Sequence, residues 1–372
     1  MSNQNKDIYF ITGGGTGGHI YPAVSVISAL KEAGVENENI FYLGNEKNLE
    51  YEIAKKNGYN FLSYNVKGMP RKLNFEFLCW LVNLFFAVLK AMVYVFRYKP
   101  DVVFATGGYV CAPILFCAIF FKIPYVLHES DIQPGIVTRF FAKWAKSVSC
   151  AFEDAKQYIK NKNINLNGNP IRPEFKTISK AQARKELSLK DEFTILIMGG
   201  SLGARTINNS SFKILKEYAH KKDIKIIWQT GKKNFDSVVE KILSEFEELP
   251  DNLLLQPYFD KMYLELLASD VVVSRAGSLS LSEICASGVA SILVPYPYAS
   301  QNHQLKNAKF LVKENTSILL EDKDCNSDSL FDLVDGLIKD RAKLAQMAQN
   351  ARRLAKLDSA KNIVSQIIKV IK

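Results

Sequence analysis

The sequence contains few of the residues and segments that identify secreted or metal-binding proteins. Among its 372 residues there are six cysteines and four histidines, and no CxxC pair occurs. Neither a zinc site nor a disulfide framework is indicated, and we expect reduced thiols buried in apolar stretches. The polar segment 1–7 lacks the charged and then apolar regions of a secretory signal peptide, which predicts a cytoplasmic protein.

Arg-rich blocks interleaved with aromatic residues, which are typical of nucleic-acid-binding proteins, are also missing. Lys and Arg number 48 against 38 Asp and Glu, giving a formal net charge of +10 that is spread along the chain. A charge of this sign favours an anionic partner. We therefore expect an anionic membrane surface or a phosphorylated substrate, and no nucleic acid.

The order of apolar segments predicts two α/β domains. The chain exceeds the length at which one hydrophobic core usually stops growing, and short β-rich segments alternate with helical ones, as in parallel sheets. A breaker-rich segment, NGNPIRP at 167–173, separates the halves. We predict an N-terminal domain at 1–168, a C-terminal domain at 169–357 and a helix at 358–372 that packs back on the N-terminal domain. Strands are predicted at 8–12, 40–43, 102–105, 125–128, 194–198, 225–230, 252–256, 271–274 and 291–294.

A nearly all-apolar segment at 73–96 predicts an unusually apolar helix. Glu76, Asn83 and Lys90 interrupt it at heptad spacing, which places them in one narrow stripe. Two charges inside the segment argue against a membrane span, so the helix either belongs to the core or contacts lipid. Because cations precede it, we predict that it docks on an anionic bilayer. The predicted docking residues are Lys67, Arg71, Lys72, Leu73, Phe77, Trp80 and Leu81.

Two glycine-rich loops each lie between a predicted strand and a predicted helix. They read GGGTGGH at 13–19, before a helix expected to begin near Pro22, and GGSLGAR at 199–205. Such loops bring backbone N–H groups close to a phosphate or a sugar hydroxyl, although a simple tight turn explains them as well. The first loop fits the GxGxxG pattern, but no acidic residue ends the second strand, which disfavours a nicotinamide enzyme. Neither loop ends in the Gly-Lys-Ser/Thr of an ATPase.

Two further segments follow strands of the second half. In SRAGSLSLSE at 274–283, Glu283 lies one turn inside a predicted helix, where it either accepts ribose hydroxyls or is an ordinary helix-start acid. The amide-rich loop PYPYASQNHQ at 295–304 suits sugar hydroxyls. The triplet Asp322, Lys323 and Asp324 has the DxD form of metal-dependent transferases, but its polar surroundings favour a solvated turn.

Taken together, these motifs resemble the bacterial MurG family of glycosyltransferases over nearly the whole chain. The matching segments are GGTGGH at 14–19, TGGYV at 106–110, HES at 128–130, GNPIR at 168–172, GGSLGA at 199–204, 274–283 and HQ at 303–304. The resemblance implies the GT-B architecture, two Rossmann-like parallel-sheet domains facing across a cleft. It also implies an inverting transferase that moves N-acetylglucosamine from UDP-N-acetylglucosamine to the 4-hydroxyl of a polyprenyl-pyrophosphoryl muramyl-pentapeptide. This reaction of peptidoglycan synthesis is expected at the cytoplasmic face of the cell membrane, with a peripherally bound enzyme.

The same resemblance assigns the donor-binding residues. It implies a backbone contact from Phe259 to uracil. At Asp131 the family commonly has Asn, so its contact to the donor sugar is uncertain in this chain, because an ionised carboxylate cannot donate a hydrogen bond. The other implied donor contacts are Thr16, Gly17, Gly18, Arg172, Ser201, Ser278, Leu279, Ser280, Leu281, Ser282, Glu283 and Gln304.

An inverting displacement needs a base for the acceptor hydroxyl and positive potential for the departing diphosphate. We predict His19 as the base, because imidazole titrates near neutral pH; a structural His that caps the turn is the alternative. Glu129 and His128 are reserve candidates for the base. No metal or other cofactor is expected. Two alternative functions remain at this point: transfer to another membrane lipid such as diacylglycerol, and nucleotide binding without turnover.

Overall fold

The structure, a computed structural model, describes residues 7–70, 72, 74–200 and 202–371. The chain divides into two compact units, Met1–Ile171 with Asp358–Lys372, and Arg172–Leu357. The division lies inside the predicted breaker-rich segment, where prolines and glycine oppose both helix and central strand. Each unit contains one parallel sheet with its own core.

The first unit is built on a seven-stranded parallel sheet of order β3-β2-β1-β4-β5-β6-β7. All four strands predicted in this half are present, and their central members are fully buried, as expected where helices cover both faces. Three strands were not predicted, because they are short and lie toward the edges of the sheet, where polar residues are tolerated. The strands are β1 Tyr9–Thr12, β2 Ile40–Gly44, β3 Asn60–Ser63, β4 Val102–Ala105, β5 Tyr125–Glu129, β6 Ser147–Cys150 and β7 Ile164–Leu166.

The helices of this unit follow the strands in βαβ fashion. The first begins at Gly17, inside the glycine loop, so the prediction of a start near Pro22 was wrong. Pro22 is tolerated because it removes only one hydrogen bond near the beginning of the helix. The helices are α1 Gly17–Glu32, α2 Leu49–Lys56, α3 Phe75–Tyr98, α4 Ala112–Phe120 and α5 Ile136–Phe141.

Helix α3 is the apolar helix predicted from the sequence. Its 24 residues are capped at the N-terminus by Asn74, whose side chain accepts a hydrogen bond from the Phe77 amide, and at the C-terminus by Lys99 in the left-handed conformation. A narrow stripe of Ala87, Ala91 and Val95 is buried in the core. Within the described part of the chain, α3 alone is long and apolar enough to cross a membrane by length and composition.

The second unit repeats the plan with a six-stranded parallel sheet of order β10-β9-β8-β11-β12-β13. All five predicted strands are present, and only the short edge strand β13 was missed. The strands are β8 Phe193–Met198, β9 Ile224–Gln229, β10 Leu253–Gln256, β11 Val271–Ser274, β12 Ala290–Leu293 and β13 Ser317–Leu319. The helices are α6 Glu174–Thr177, α7 Lys180–Glu186, α8 Arg205–Ser210, α9 Phe212–Tyr218, α10 Phe235–Glu245, α11 Met262–Ala268, α12 Ser278–Ser287, α13 His303–Lys313, α14 Ser327–Lys339 and α15 Arg341–Leu354.

The C-terminal helix α16, Ser359–Ile371, belongs to the first unit. Ile363, Val364 and Ile367 are buried against α1, β4 and β5 in one hydrophobic cluster. The Ser359 hydroxyl donates to the Asn167 carbonyl at 2.6 Å. The apolar face of this amphipathic helix is therefore buried in the first unit.

Candidate active site

The first glycine loop is tied to the end of β4 through His19. Parallel pairing places β1 and β4 side by side, so the residues that follow both strands lie at one sheet edge. The Thr106 hydroxyl donates to the His19 carbonyl at 2.6 Å, and His19 Nδ1 lies 2.9 Å from the Thr106 carbonyl oxygen. A carbonyl can only accept, so Nδ1 carries the proton in the neutral ring. Nε2 is then the nitrogen that can take up a proton.

Two glycines after β4 make room for this imidazole. Gly107 and Gly108 both have positive φ angles, 94° and 80°. A Cβ atom at Gly108 would lie 2.6 Å from the Gly14 carbonyl oxygen and 3.1 Å from His19 Cδ2. A side chain there would push the ring and the glycine loop apart, which gives the TGGYV motif a physical role that sequence reasoning did not assign.

Some backbone N–H groups of the first loop form hydrogen bonds inside the protein, and others are available to a ligand. The amides of His19 and Ile20 donate to the Thr16 carbonyl. The amide of Gly15 donates to the carboxylate of Glu50, a fully buried residue that sequence reasoning missed. No hydrogen bond among the described residues uses the amides of Thr16, Gly17 or Gly18. The N–H groups of these three residues, which were predicted to contact the sugar donor, are therefore able to bind an oxygen atom of a ligand.

The residues after β5 form a second, buried cluster in the same unit. His128 is fully buried, with Nδ1 3.1 Å from the Ser149 hydroxyl and Nε2 3.0 Å from Asn169 Oδ1. Burial lowers the pKa of His128 to about 4, with a smaller contribution from the charge of His19. Both ring nitrogens are engaged inside the protein, so the geometry gives this reserve residue no access to a substrate.

Glu129 is the other reserve residue and is 3% exposed. Its carboxyl group accepts hydrogen bonds from the amides of Asp131 at 3.0 Å and Gly135 at 3.3 Å. Desolvation, followed by the charge of Asp131, raises the pKa of Glu129 to about 8. The carboxyl is then mostly protonated at neutral pH, a state unsuited to accepting a proton. Asp131 itself is partly buried next to this group.

In the second unit, Gln229 at the end of β9 connects two predicted donor-binding segments. Its amide nitrogen donates to the Gly200 carbonyl at 3.2 Å, and its amide oxygen accepts from the Phe259 backbone N–H at 2.9 Å. The predicted contact from Phe259 to uracil therefore competes with an internal hydrogen bond if it uses this N–H. Ser201, the remaining polar residue predicted in this loop, lies outside the described residues.

Arg172 and Glu283 come together near the beginning of α12. Arg172 donates to the Asp260 carbonyl at 2.8 Å, and its guanidinium lies 6.0 Å from the ring centroid of Tyr263. Desolvation raises the pKa of Glu283 to about 7, while the charge of Arg172 acts in the opposite direction. Desolvation also raises the pKa of the buried Glu265 to about 7, against a backbone hydrogen bond and the charges of Arg172 and Lys261. The positive charge of Arg172 thus lowers the pKa of both carboxyl groups, against the larger effect of desolvation.

The first turn of α12 and Gln304 form the remaining predicted donor contacts. The side-chain oxygen of Gln304 accepts from the amides of Ala276 at 3.3 Å and Tyr296 at 2.9 Å, joining the loops that follow β11 and β12. Ser282 donates from its hydroxyl to the Ser278 carbonyl, inside the helix. Ser278 and Leu281 are buried, whereas Leu279 and Ser280 are partly exposed at the helix start.

The acidic triplet at 322–324 forms the exposed turn expected from its composition, except that Asp322 is partly buried. Asp322 forms an ion pair with Arg275 and accepts a hydrogen bond from the Thr206 hydroxyl at 3.2 Å. Arg275 also donates to the carbonyls of Val294 and Pro295. Asp322 therefore holds together the ends of β11 and β12, a long-range contact that local composition does not reveal. Asp324, by contrast, is exposed.

The predicted docking residues differ in exposure. Lys67, Lys72 and Leu81 are exposed, whereas Phe77 and Trp80 are partly buried. The Trp80 indole donates to the Lys67 carbonyl at 2.9 Å. Arg71 and Leu73 lie outside the described residues.

The exposed apolar area extends much further than the sequence indicated. The polar residues Asn83 and Lys90 point toward the end of β3 and the segment after it, where Asn83 donates to the Asn65 carbonyl and Lys90 to the Ser63 hydroxyl at 3.4 Å. Most of the apolar circumference of α3 is consequently exposed. We call the following exposed residues the apolar surface: Phe75, Leu78, Leu81, Val82, Phe85, Phe86, Leu89, Val93 and Phe96 of α3, with Phe116 and Phe120 of α4.

Comparison with known proteins identifies the family. Residues 9–150 match the model of the glycosyltransferase family 28 N-terminal domain, and residues 194–367 match that of its C-terminal domain. The chain belongs to glycosyltransferase family 28. Its sheets are the two parallel α/β domains of the GT-B architecture, as the resemblance implied. The nicotinamide-enzyme alternative is thereby set aside.

Two relatives of this family 28 chain have the same enzyme name. The UDP-N-acetylglucosamine--N-acetylmuramyl-(pentapeptide) pyrophosphoryl-undecaprenol N-acetylglucosamine transferase of Desulforamulus reducens is 35% identical over 97% of this chain and 98% of its own. That of Carboxydothermus hydrogenoformans is 36% identical over 94% of each chain. The crystal structure of Acinetobacter baumannii MurG has a TM-score of 0.78 and 26% identity, covering 98% of this chain and 99% of its own. The resemblance to the MurG family is therefore confirmed.

Proposed function

We propose that this protein transfers N-acetylglucosamine from UDP-N-acetylglucosamine to the 4-hydroxyl of the muramyl sugar of polyprenyl-pyrophosphoryl-N-acetylmuramyl-pentapeptide, a step of peptidoglycan synthesis. The observation that carries the proposal is full-length similarity to enzymes of that name, at 35% identity over 97% of the chain. The positions of the family 28 motifs at the carboxyl ends of parallel strands support it, because such folds bind ligands there.

In this proposal the C-terminal unit binds the nucleotide sugar. Glu283 accepts the ribose hydroxyls, and Arg172 beside it supplies positive charge. The diphosphate is bound by backbone N–H groups of the second glycine loop and of the first turn of α12, a ten-residue helix whose dipole favours an anion there. Gln304 holds the two loops that flank this position, since its oxygen accepts from both.

His19 acts as the base that deprotonates the acceptor hydroxyl. The hydrogen bond from Nδ1 to the Thr106 carbonyl orients the ring and leaves Nε2 as the basic nitrogen. The oxygen of the acceptor attacks the anomeric carbon while the bond to UDP breaks, and the proton passes to Nε2. An imidazole with an unprotonated Nε2 can accept a proton, whereas the protonated carboxyl of Glu129 cannot and the buried His128 does not reach a substrate.

The reaction as proposed uses no metal ion or other cofactor. The charge that develops on the departing diphosphate is balanced by oriented N–H groups and by Arg172, which need no reorganisation during the reaction. This arrangement predicts full activity in the presence of a chelator.

The protein is proposed to bind peripherally to the cytoplasmic face of the cell membrane through the apolar surface. Continuous exposed apolar area of this kind marks an interaction site, and the acceptor lipid lies in a bilayer. Between α3 and α4 the surface contains a groove of about 430 Å³. Cations such as Lys67 and Lys72 lie at one end of α3, where anionic headgroups would be attracted.

The decisive experiment compares acceptors with the purified full-length protein. UDP release from UDP-N-acetylglucosamine is measured with a lipid-linked muramyl-pentapeptide, with diacylglycerol and without acceptor. We expect turnover with the first acceptor only. Turnover with diacylglycerol would assign the protein to another membrane lipid, and UDP binding without any turnover would make it a nucleotide-binding protein.

A further inference from the structure

A buried carboxylate lies directly beneath the first glycine loop. Glu50, the second residue of α2, has no solvent-exposed surface. One of its oxygens accepts from the Gly15 amide at 3.3 Å. The other accepts from the Asn45 amide at 3.2 Å and from the Asn48 side chain at 3.1 Å. Three hydrogen-bond donors thus converge on one buried acidic group, which has no role in the proposed chemistry.

The loop is shaped around this carboxylate. A Cβ atom at Gly14 would lie 2.6 Å from Glu50 Oε1, so the backbone at this position can approach the carboxylate only because it is glycine. On the other side of the same loop, the Tyr42 hydroxyl donates to the Gly13 carbonyl at 2.6 Å. The loop is therefore held at Gly13 and at Gly15 before it enters α1.

His19 lies on the segment that this anchor controls. The Gly14 carbonyl is bonded to the anchored Gly15 nitrogen. Its oxygen lies so close to Gly108 that a Cβ atom there would clash with it, and Gly108 also lies against the imidazole of His19. A shift of the loop away from Glu50 would therefore change the space in which His19 is held. Misplacement of a catalytic group by about 1 Å is enough to cost roughly 100-fold in rate.

We propose that Glu50 is a positioning residue for sugar transfer, which fixes the 13–18 loop and through it the imidazole of His19. This inference rests on the proposed function, in which His19 is the base. Glu50 touches neither the donor nor the acceptor in this scheme. It acts by holding the backbone from behind, from the first turn of α2.

The test uses Glu50→Gln, with Glu52→Gln as the matched control. A carboxamide has the same shape, but it replaces one acceptor oxygen by a donor, so one of the N–H groups that now bind Glu50 would face another N–H group. Glu52 is an exposed acid on the same helix. We expect Glu50→Gln to lower kcat by roughly 10- to 100-fold, with the Kd for UDP unchanged within threefold. The control should keep the wild-type values.

Hydrogen exchange provides a readout that does not depend on turnover. In Glu50→Gln, peptides covering 13–19 should exchange faster than in the wild type, while peptides of the second unit should not change. If Glu50→Gln fails to fold, Asn48→Ser removes one of the three donors and retains a residue able to cap α2. It should produce the same two effects at smaller size.

Wild-type kcat or wild-type exchange of the loop in a folded Glu50→Gln protein would overturn the inference, and so would a loss confined to thermal stability. If the wild type itself transfers no sugar, the proposed function fails. In that case the exchange measurement still decides whether Glu50 anchors the loop.

Discussion

Replacing Glu129 by Gln tests both the electrostatics of the β5 cluster and the identity of the base. The pKa of this carboxyl rises from an ordinary 4.5 to about 8, chiefly because it is buried. Since the folded pKa is the higher one, the folded protein binds the proton more tightly than the unfolded chain does. The resulting stabilisation is complete below about pH 4.5 and is lost as the pH rises through about 8.

The expected size follows from the same two values. Each unit of difference between the folded and unfolded pKa corresponds to about 1.4 kcal/mol. As the pH rises from 5 to 8, the ionisation of Glu129 should therefore lower the free energy of unfolding of the wild type by roughly 3 kcal/mol. A carboxamide stays neutral across this range, so the stability of Glu129→Gln relative to the wild type should rise by that amount from pH 5 to pH 8.

The assay must report on the first unit alone, because two-domain proteins do not always unfold in one step. Urea titrations at several pH values, each read by a short deuterium pulse on a peptide covering β5, meet this need. Glu153→Gln is the control, since Glu153 is an exposed acid of the same unit. A relative change below about 1 kcal/mol between pH 5 and pH 8 would contradict the raised pKa.

The same variant separates the two candidate bases. At pH 7 a carboxyl with a pKa of about 8 is already neutral, so Glu129→Gln should retain turnover within about threefold of the wild type. A folded Glu129→Gln protein that loses about 100-fold or more in kcat would make Glu129, and not His19, the base.

Three further predictions test the proposed function. His19→Ala should lower kcat by about 10²- to 10⁴-fold with unchanged UDP affinity by calorimetry, while His220→Ala, at an exposed histidine of the second unit, should not; an active His19→Ala would exclude this base. Joint replacement of Phe85 and Phe86, 59% and 62% exposed, by Glu should weaken binding to anionic liposomes by roughly 100-fold, since about 1 to 2 kcal/mol of apolar burial is lost at each. Leu243→Glu, 48% exposed in the second unit, is its control, and equal binding of all variants would refute docking through α3. Turnover should be the same in a metal chelator as in added Mg²⁺, and activity abolished by the chelator and restored by the metal would contradict the cofactor-free mechanism.

Local patterns were sufficient where an interaction is short in sequence. The central strands of both sheets were predictable because buried parallel strands are continuous apolar segments, as in Val271–Ser274. The glycine loops were recognisable because a tight strand-to-helix turn requires residues without side chains. The apolar character of α3 was equally evident, although not the direction of its faces.

Contacts between distant segments were not predictable. Asp322 looked solvated, because nothing near it in sequence identifies Arg275 as its partner. Sequence reasoning missed Glu50, because the Gly15 amide that binds it lies 35 residues away in the chain. Gln229 likewise gained its role only when β9 was placed between the second glycine loop and Phe259.

The sequence by itself determined that this is a two-domain parallel α/β protein with glycine loops at strand ends, and its motifs indicated the family. Only the tertiary structure decided which N–H groups remain available to a ligand, which carboxyl groups are neutral and which face of α3 is exposed. The physical reason is that hydrogen bonding and desolvation depend on the neighbours that folding brings together. Glycine content and apolar periodicity, by contrast, are local properties of the chain.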